Sequence, residues 1–363
     1  CKEAYKPQKP SAITIVLNKM IPITRQAREV GHCESGKIPD DLNSYSEPVV
    51  LRGLVNHWEL VKKSLHSDIT AAEYLKAFYN GRPTLTYFGE PGLNGHYGYN
   101  NNATQLNFKK EKAQIDEVID LIIAHLDDSA PPSVYIASNI IDSNFPGLRQ
   151  KNDLDMSFAK LAPNSEAPIP SIWIGNKSIA RCHYDASDNI ACAVKGRRRF
   201  IMFPPEQIEN LYPGPLSPTP GGQAISMVNF HDPDYQKHPK FKQAVEKGIA
   251  AELEPGDAIF IPSMWWHQVE GLDKFNILVN YWWSNAERFM GSAMNVLFHA
   301  ILSLRDKPAH EKAAWKHVFD YYIFNDEFLP TQHLPPESQG LLSPLDELKS
   351  RQLRAMLVNK LNR

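Results

Sequence analysis

The 363-residue chain is poor in cysteine, in net charge and in long apolar runs, and each shortage excludes a class of protein. Four cysteines, Cys1, Cys33, Cys182 and Cys192, are too few and too scattered for a disulfide framework. No C-x-x-C pair suggests structural zinc. The formal charge of −2 gives no bulk electrostatic case for nucleic acid or for an anionic membrane. No apolar run approaches the roughly 18 residues of a membrane span. The sequence opens at Cys1 with no initiator methionine, which predicts missing or processed residues ahead of it. With this composition and thiol usage, the expectation is a cytoplasmic enzyme rather than a lipidated protein.

What is present is ordinary globular text, 42% hydrophobic and 22% charged, long enough for one or two domains. Residues 1–45 are polar and Pro-rich and predict an arm laid over the surface. Strands are expected at 47–55, 84–88 and 133–141. Helices are expected at 71–79, capped by Thr70, and at 114–127, where Ile115, Val118, Ile119, Ile122 and Ile123 keep helical spacing. From Ser171 the text becomes strand-rich, at 171–176, 179–186, 189–203, 249–253, 258–262, 266–270 and 275–283. That density of short strands predicts a sandwich or barrel. Two segments rich in turn formers, 90–102 and 214–238, are candidate walls of a pocket, although 90–102 reads equally as a surface hairpin. Beyond Asn285 the pattern turns helical.

Two short strings carry the chemistry. His183-Tyr184-Asp185 places an imidazole and a carboxylate on one face of an extended segment, because strand side chains alternate. Gly256-Asp257 turns into a strand leading toward Trp265-Trp266-His267, whose two tryptophans are expected to pack beneath the site. Taken singly, each histidine reads as a satisfied core side chain. Taken together, two imidazoles and one carboxylate form a facial ligand set with open positions, the arrangement of non-haem Fe(II) oxygenases. Cys182 should point away from that face and pack as a buried thiol.

Residues 171–283 resemble the Jumonji-C and cupin-like 2-oxoglutarate oxygenases, and within them the asparaginyl hydroxylase type that acts on the hypoxia-inducible factor. The matching text includes His183-Tyr184-Asp185, Asn189, Lys195-Gly196-Arg197-Arg198-Arg199, Phe203-Pro204-Pro205, Leu211-Tyr212-Pro213, Asp232-Pro233-Asp234-Tyr235, Gly256-Asp257, Trp265-Trp266-His267 and Val279-Asn280-Tyr281-Trp282. The resemblance implies a mainly β fold with α-helices: a double-stranded β-helix, the jelly-roll or cupin barrel, flanked by helices and followed by a C-terminal helical region. It implies a catalytic domain over 46–285 and a dimerisation region over 286–363, making a homodimer. It also implies Fe(II) on His183, Asp185 and His267, with 2-oxoglutarate as co-substrate and O2 as oxidant. The reaction implied is hydroxylation of a side chain of a protein, a peptide or an amino-acid-like small molecule, with 2-oxoglutarate decarboxylated to succinate.

The family usually supplies a lysine for the far carboxylate of 2-oxoglutarate, and the matching position here is Arg198. A guanidinium can hold a carboxylate in bidentate fashion, and alternation turns Arg198 away from Arg197 and Arg199. The resemblance also carries Tyr135, Asn189, Asn280 and Trp282 to the co-substrate, while Ala180 replaces a threonine of the likened hydroxylase. Two other readings remain open: a cupin-type binding or scaffold protein with a structural or vestigial metal, and a metal-dependent cupin enzyme that needs no 2-oxoglutarate. The latter usually carries a further His or Glu ligand, which the text near His183 does not offer.

Overall fold

A computed structural model describes residues 20–31, 33, 36–159, 165–326 and 329–362. The described residues up to Ser284 form one compact unit, and those from Asn285 onward, together with 165–166, form a second. Most of the arm expected over 1–45 lies outside the described residues. Its described end adds short, largely exposed edge strands: Arg25–Gln26 pairs in parallel with Ile249–Ala250, and Arg28–Val30 pairs with Val49–Leu51.

The first unit is built on two sheets. The six-stranded sheet runs Arg25–Gln26, Ile249–Leu253, Arg198–Phe203, Trp266–Gly271, Ile179–Tyr184 and His96–Tyr97. The nine-stranded sheet runs Arg28–Val30, Val49–Leu51, Ala258–Ile261, Asp188–Lys195, Asn276–Trp283, Ile169–Gly175, Ser133–Ile140, Thr84–Gly89 and Lys109–Ala113. Their facing sides share a core: Ala191, Ala193, Ile259, Ile261 and Leu278 from the larger sheet meet Phe200, Met202, Ile249, Ala251 and Leu253 from the smaller. Period-two alternation brings every second residue of each strand into this interior, which is the jelly-roll solution for burying two apolar faces. Helices Glu59–His66, Asp68–Lys76 and Ile115–Ala124 accompany the sheets.

Three expectations change. The run 189–203 is two strands, because Gly196 adopts φ +72° and passes the chain from one sheet to the other. The helix near 70 starts at Asp68, capped by Ser67, whose hydroxyl accepts from the Thr70 amide at 3.0 Å. The strand beginning after Gly256 ends at Ile261; a turn through Met264, at φ +67°, then carries the chain across to the other sheet before His267.

The second unit contains helices Ala293–Ser303, Ala309–Phe319 and Glu347–Leu361, the last capped by Asp346. Many of its large apolar side chains are exposed, including Met290, Val296, Phe298, Leu302, Ile323 and Phe324. No described helix is long and apolar enough to cross a membrane.

Candidate metal centre and co-substrate cavity

Strands Ile179–Tyr184 and Trp266–Gly271 are antiparallel neighbours, and His183 is the register partner of His267. Their rings stand 4.5 Å apart between centroids, and His267 Nε2 lies 3.6 Å from Asp185 Oδ2. His183, Asp185 and His267 offer ligand atoms all within 4.8 Å of one another, and no other described group of three His, Cys, Asp or Glu side chains does so. The turn before His267 is pinned across the Asp185 loop: the Met264 amide donates to Asp185 O at 2.7 Å and the Ser263 amide to Asp188 Oδ1 at 2.9 Å.

Each imidazole has its tautomer set by the backbone. His183 Nδ1 donates to Arg181 O at 2.8 Å, and His267 Nδ1 donates to Trp265 O at 2.9 Å. In both rings Nε2 is left with its lone pair, the form a divalent cation needs. Burial, reinforced by neighbouring His183, holds the His267 pKa well below the usual imidazole value. Gln223 Nε2 donates to Asp185 Oδ1 at 3.4 Å, which leaves Oδ2 turned to His267. A donor set of two neutral imidazoles and one carboxylate fits Fe(II).

The three side chains sit in the wall of a cavity of about 370 Å³. Tyr135, Asn189, Asn280 and Trp282, all carried to the co-substrate by the family resemblance, line the same cavity. Trp173 Nε1 donates to Asn280 Oδ1 at 2.7 Å, and Asn280 Nδ2 donates to Asn189 Oδ1 at 3.2 Å, so a chain of hydrogen bonds orients the amides. Trp282 Nε1 and Tyr97 Oη are buried without a partner. Such orphaned donors are costly unless a ligand accepts from them.

Arg198 is the largest departure from ordinary burial. It is 1% exposed, and its Nε and Nη2 have no hydrogen-bond partner. Its neighbours differ: Arg197 pairs with Asp273 at 3.1 Å and Arg199 with Glu252 at 2.7 Å, whereas Arg198 makes no ion pair among the described residues. Arg198 shares the inward face of its strand with Phe200, a wall residue, although it is not itself part of the cavity wall. Its charge reaches Tyr135, opposing the upward push that burial exerts on that phenol. A buried guanidinium with open donors fits an incoming carboxylate.

Both turn-rich candidate segments reach the cavity. Tyr97 lies on the short strand His96–Tyr97, and Pro220, Gly221, Gln223 and Ile225 close another side. Tyr99 Oη donates to Pro218 O at 2.8 Å, tying the two segments together, and Tyr87 Oη, on strand Thr84–Gly89, donates to Pro220 O at 3.1 Å. Cys182 is fully buried on the opposite face, as alternation requires. The tryptophan pair divides: Trp265 joins the interior core, while Trp266 packs outside it against Tyr184, 4.9 Å between ring centroids. Sequence reasoning missed Tyr87, Trp173 and Arg181, and reached Tyr97 and Gln223 only as members of the two candidate wall segments. Alternation alone could have found Arg181, two residues before His183; Gln223 arrives on a loop with no periodic signal.

Comparison with known proteins places a cupin-like domain over residues 36–289. The lysine-specific demethylase JMJ31 of Arabidopsis thaliana is 30% identical over 172 residues, 44% of this chain and 29% of the relative. The lysine-specific demethylase 8 of Xenopus tropicalis is 26% identical over 240 residues, 66% of this chain and 48% of the relative. The tRNA wybutosine-synthesizing protein 5 of Gallus gallus is 35% identical over 103 residues, 28% of this chain and 29% of the relative. The chain therefore spans about a quarter to a half of the length of the curated relatives it matches.

Proposed function

The chain belongs to the cupin-like domain family, and on that premise we propose that it is an Fe(II)- and 2-oxoglutarate-dependent oxygenase. In this reading it hydroxylates a side chain of a protein, a peptide or an amino-acid-like substrate. The observation that carries the proposal is the convergence of His183, Asp185 and His267 within 4.8 Å, on the wall of a cavity of about 370 Å³. His183, Asp185 and His267 would hold Fe(II), which would supply O2 activation coupled to decarboxylation of 2-oxoglutarate, one oxygen atom ending in succinate and the other in the hydroxylated substrate.

The chain's own residues bind, orient and exclude. His183 and His267 present Nε2, and Asp185 presents Oδ2, with Gln223 holding the other oxygen. Arg198 receives the far carboxylate of 2-oxoglutarate, with Tyr135 beside it. Trp282 Nε1 offers a buried donor, and the Trp173–Asn280–Asn189 chain holds the amides toward the co-substrate. Phe200, Leu278 and Val269 add apolar side chains to the same wall.

The test is a thermal shift of the full chain with Mn(II) and 2-oxoglutarate, followed by succinate detection with Fe(II) in air. Joint stabilisation is expected. No stabilisation under any metal would favour the scaffold reading, and stabilisation by metal alone would favour a cupin enzyme without 2-oxoglutarate. Removal of N-methyl groups by the same chemistry is a second reading, favoured by the demethylase names of two relatives.

The proposal extends to the chain's organisation: a catalytic domain over 46–285 and a C-terminal region over 286–363 that makes a homodimer. The exposed Val296, Phe298, Leu302, Ile323 and Phe324 support it, since such a set of apolar side chains is costly to leave in water. Light scattering at the mass of a monomer would contradict it. Cys33, Cys182 and Cys192 are free thiols, which supports a reducing, cytoplasmic setting.

A further inference from the structure

We propose that Arg181 anchors an anionic group, a carboxylate or a phosphate, on the substrate; this rests on the oxygenase reading above. Arg181 precedes His183 by two positions on one strand and lines the cavity with Asp185, Gln223 and Ile225. It is half-buried and makes no ion pair among the described residues. Its position is built. Nη2 donates to Val228 O at 3.3 Å, and a Cβ at Gly98 would stand 2.9 Å from both Cδ and Nη1, so glycine there leaves the space the side chain occupies. A cation held in a pocket wall without a counter-ion is unfavourable unless a ligand brings the opposite charge.

Charge balance gives the sign and size of that ligand's charge. Among the described residues, Asp185 is the one carboxylate in the cavity wall. A ferrous ion, a 2-oxoglutarate dianion, the Asp185 carboxylate and the Arg198 guanidinium cancel, with both imidazoles neutral. Arg181 is then one positive charge left over beside the place where substrate must sit. An anion there is attracted and can accept two parallel hydrogen bonds from the guanidinium. A methylated ammonium in the same place is repelled. The substrate class is therefore an acid: a free amino acid or peptide bearing a carboxylate near the reacting carbon, or a phosphorylated compound.

The experiment uses the full chain saturated with Mn(II) and 2-oxoglutarate, and isothermal titration with three sets of probes. These are N-acetyl amino acids with free carboxylates, the same compounds as primary amides, and N-acetyl-phosphoserine amide. One carboxylate or phosphate set is expected to bind, with neutral amides weaker by about tenfold or more. Arg181→Met should erase that preference, and Arg181→Lys should retain part of it, while stabilisation by Mn(II) and 2-oxoglutarate persists in both. Amides that bind as tightly as acids, a preference that survives Arg181→Met, or a stabilised wild-type protein that ignores every acid would overturn the assignment. Absence of Mn(II) and 2-oxoglutarate stabilisation in the wild type would instead refute the oxygenase reading, before any probe is added.

Discussion

His183 and His267 are register partners on adjacent antiparallel strands, and each donates Nδ1 to the carbonyl two residues before it. The pairing is a property of the sheet, so the spacing of the two imidazoles is set by the backbone ladder rather than by loop conformation. Asp185 joins them just past the strand end, where Met264 and Ser263 pin its loop.

Arg198 is buried without a counter-charge, so its removal should have opposite effects in the two states. Arg198→Met should leave the ligand-free protein as stable or more stable, by about 1 kcal/mol. The same change should weaken 2-oxoglutarate by about a hundredfold, the loss of a bidentate charged pair. Arg198→Lys keeps the charge but loses the fork, so it should fall between. Thermal denaturation and titration calorimetry read the two quantities separately. Loss of stability without loss of affinity would make Arg198 a structural residue.

Gly196 switches the chain between sheets two positions before Arg198. With φ +72°, and a Cβ that would lie 2.4 Å from Asn276 Oδ1 and 2.7 Å from Phe275 O, it admits no side chain. Gly196→Ala should cost about 2–4 kcal/mol in denaturant unfolding. An unchanged midpoint would mean the strand break tolerates a Cβ.

Acid should destabilise the metal-free protein before its carboxylates titrate. Burial holds the folded His267 pKa below the ordinary imidazole value of 6.5, and lowers His57, His96 and His238 in the same direction. The unfolded chain therefore binds protons first. The associated stability is full above pH 6.5 and is lost as pH falls from there through the lowered folded values. His267→Gln should flatten part of that slope in thermal melts. A melting temperature that holds steady or rises on acidification would contradict the burial argument.

Period-two alternation is what made the site readable without coordinates. It put His183 beside Asp185, turned Cys182 outward and separated Arg198 from Arg197 and Arg199, and the packing of two sheets preserves each of these directions. The strand break at Gly196 was hidden because apolar text continues on both sides, first into one sheet and then into the other. Lys109–Ala113 was unreadable for the opposite reason: as an edge strand with its lysines and glutamate exposed, it shows no buried alternate face. Ser67 and Thr70 were confused because both hydroxyls take part in the cap, 2.7 Å from each other. Tyr97 and Gln223 depend on where loops travel, which alternation does not encode.

The most direct test is Mn(II) binding to the full chain, measured by titration calorimetry with paramagnetic resonance as a second readout. The account predicts one ion per wild-type chain, tightened by 2-oxoglutarate, and no binding at that site in His183→Ala, Asp185→Ala or His267→Ala proteins that remain folded. Equal binding by the three variants, or none by the wild type, would contradict it.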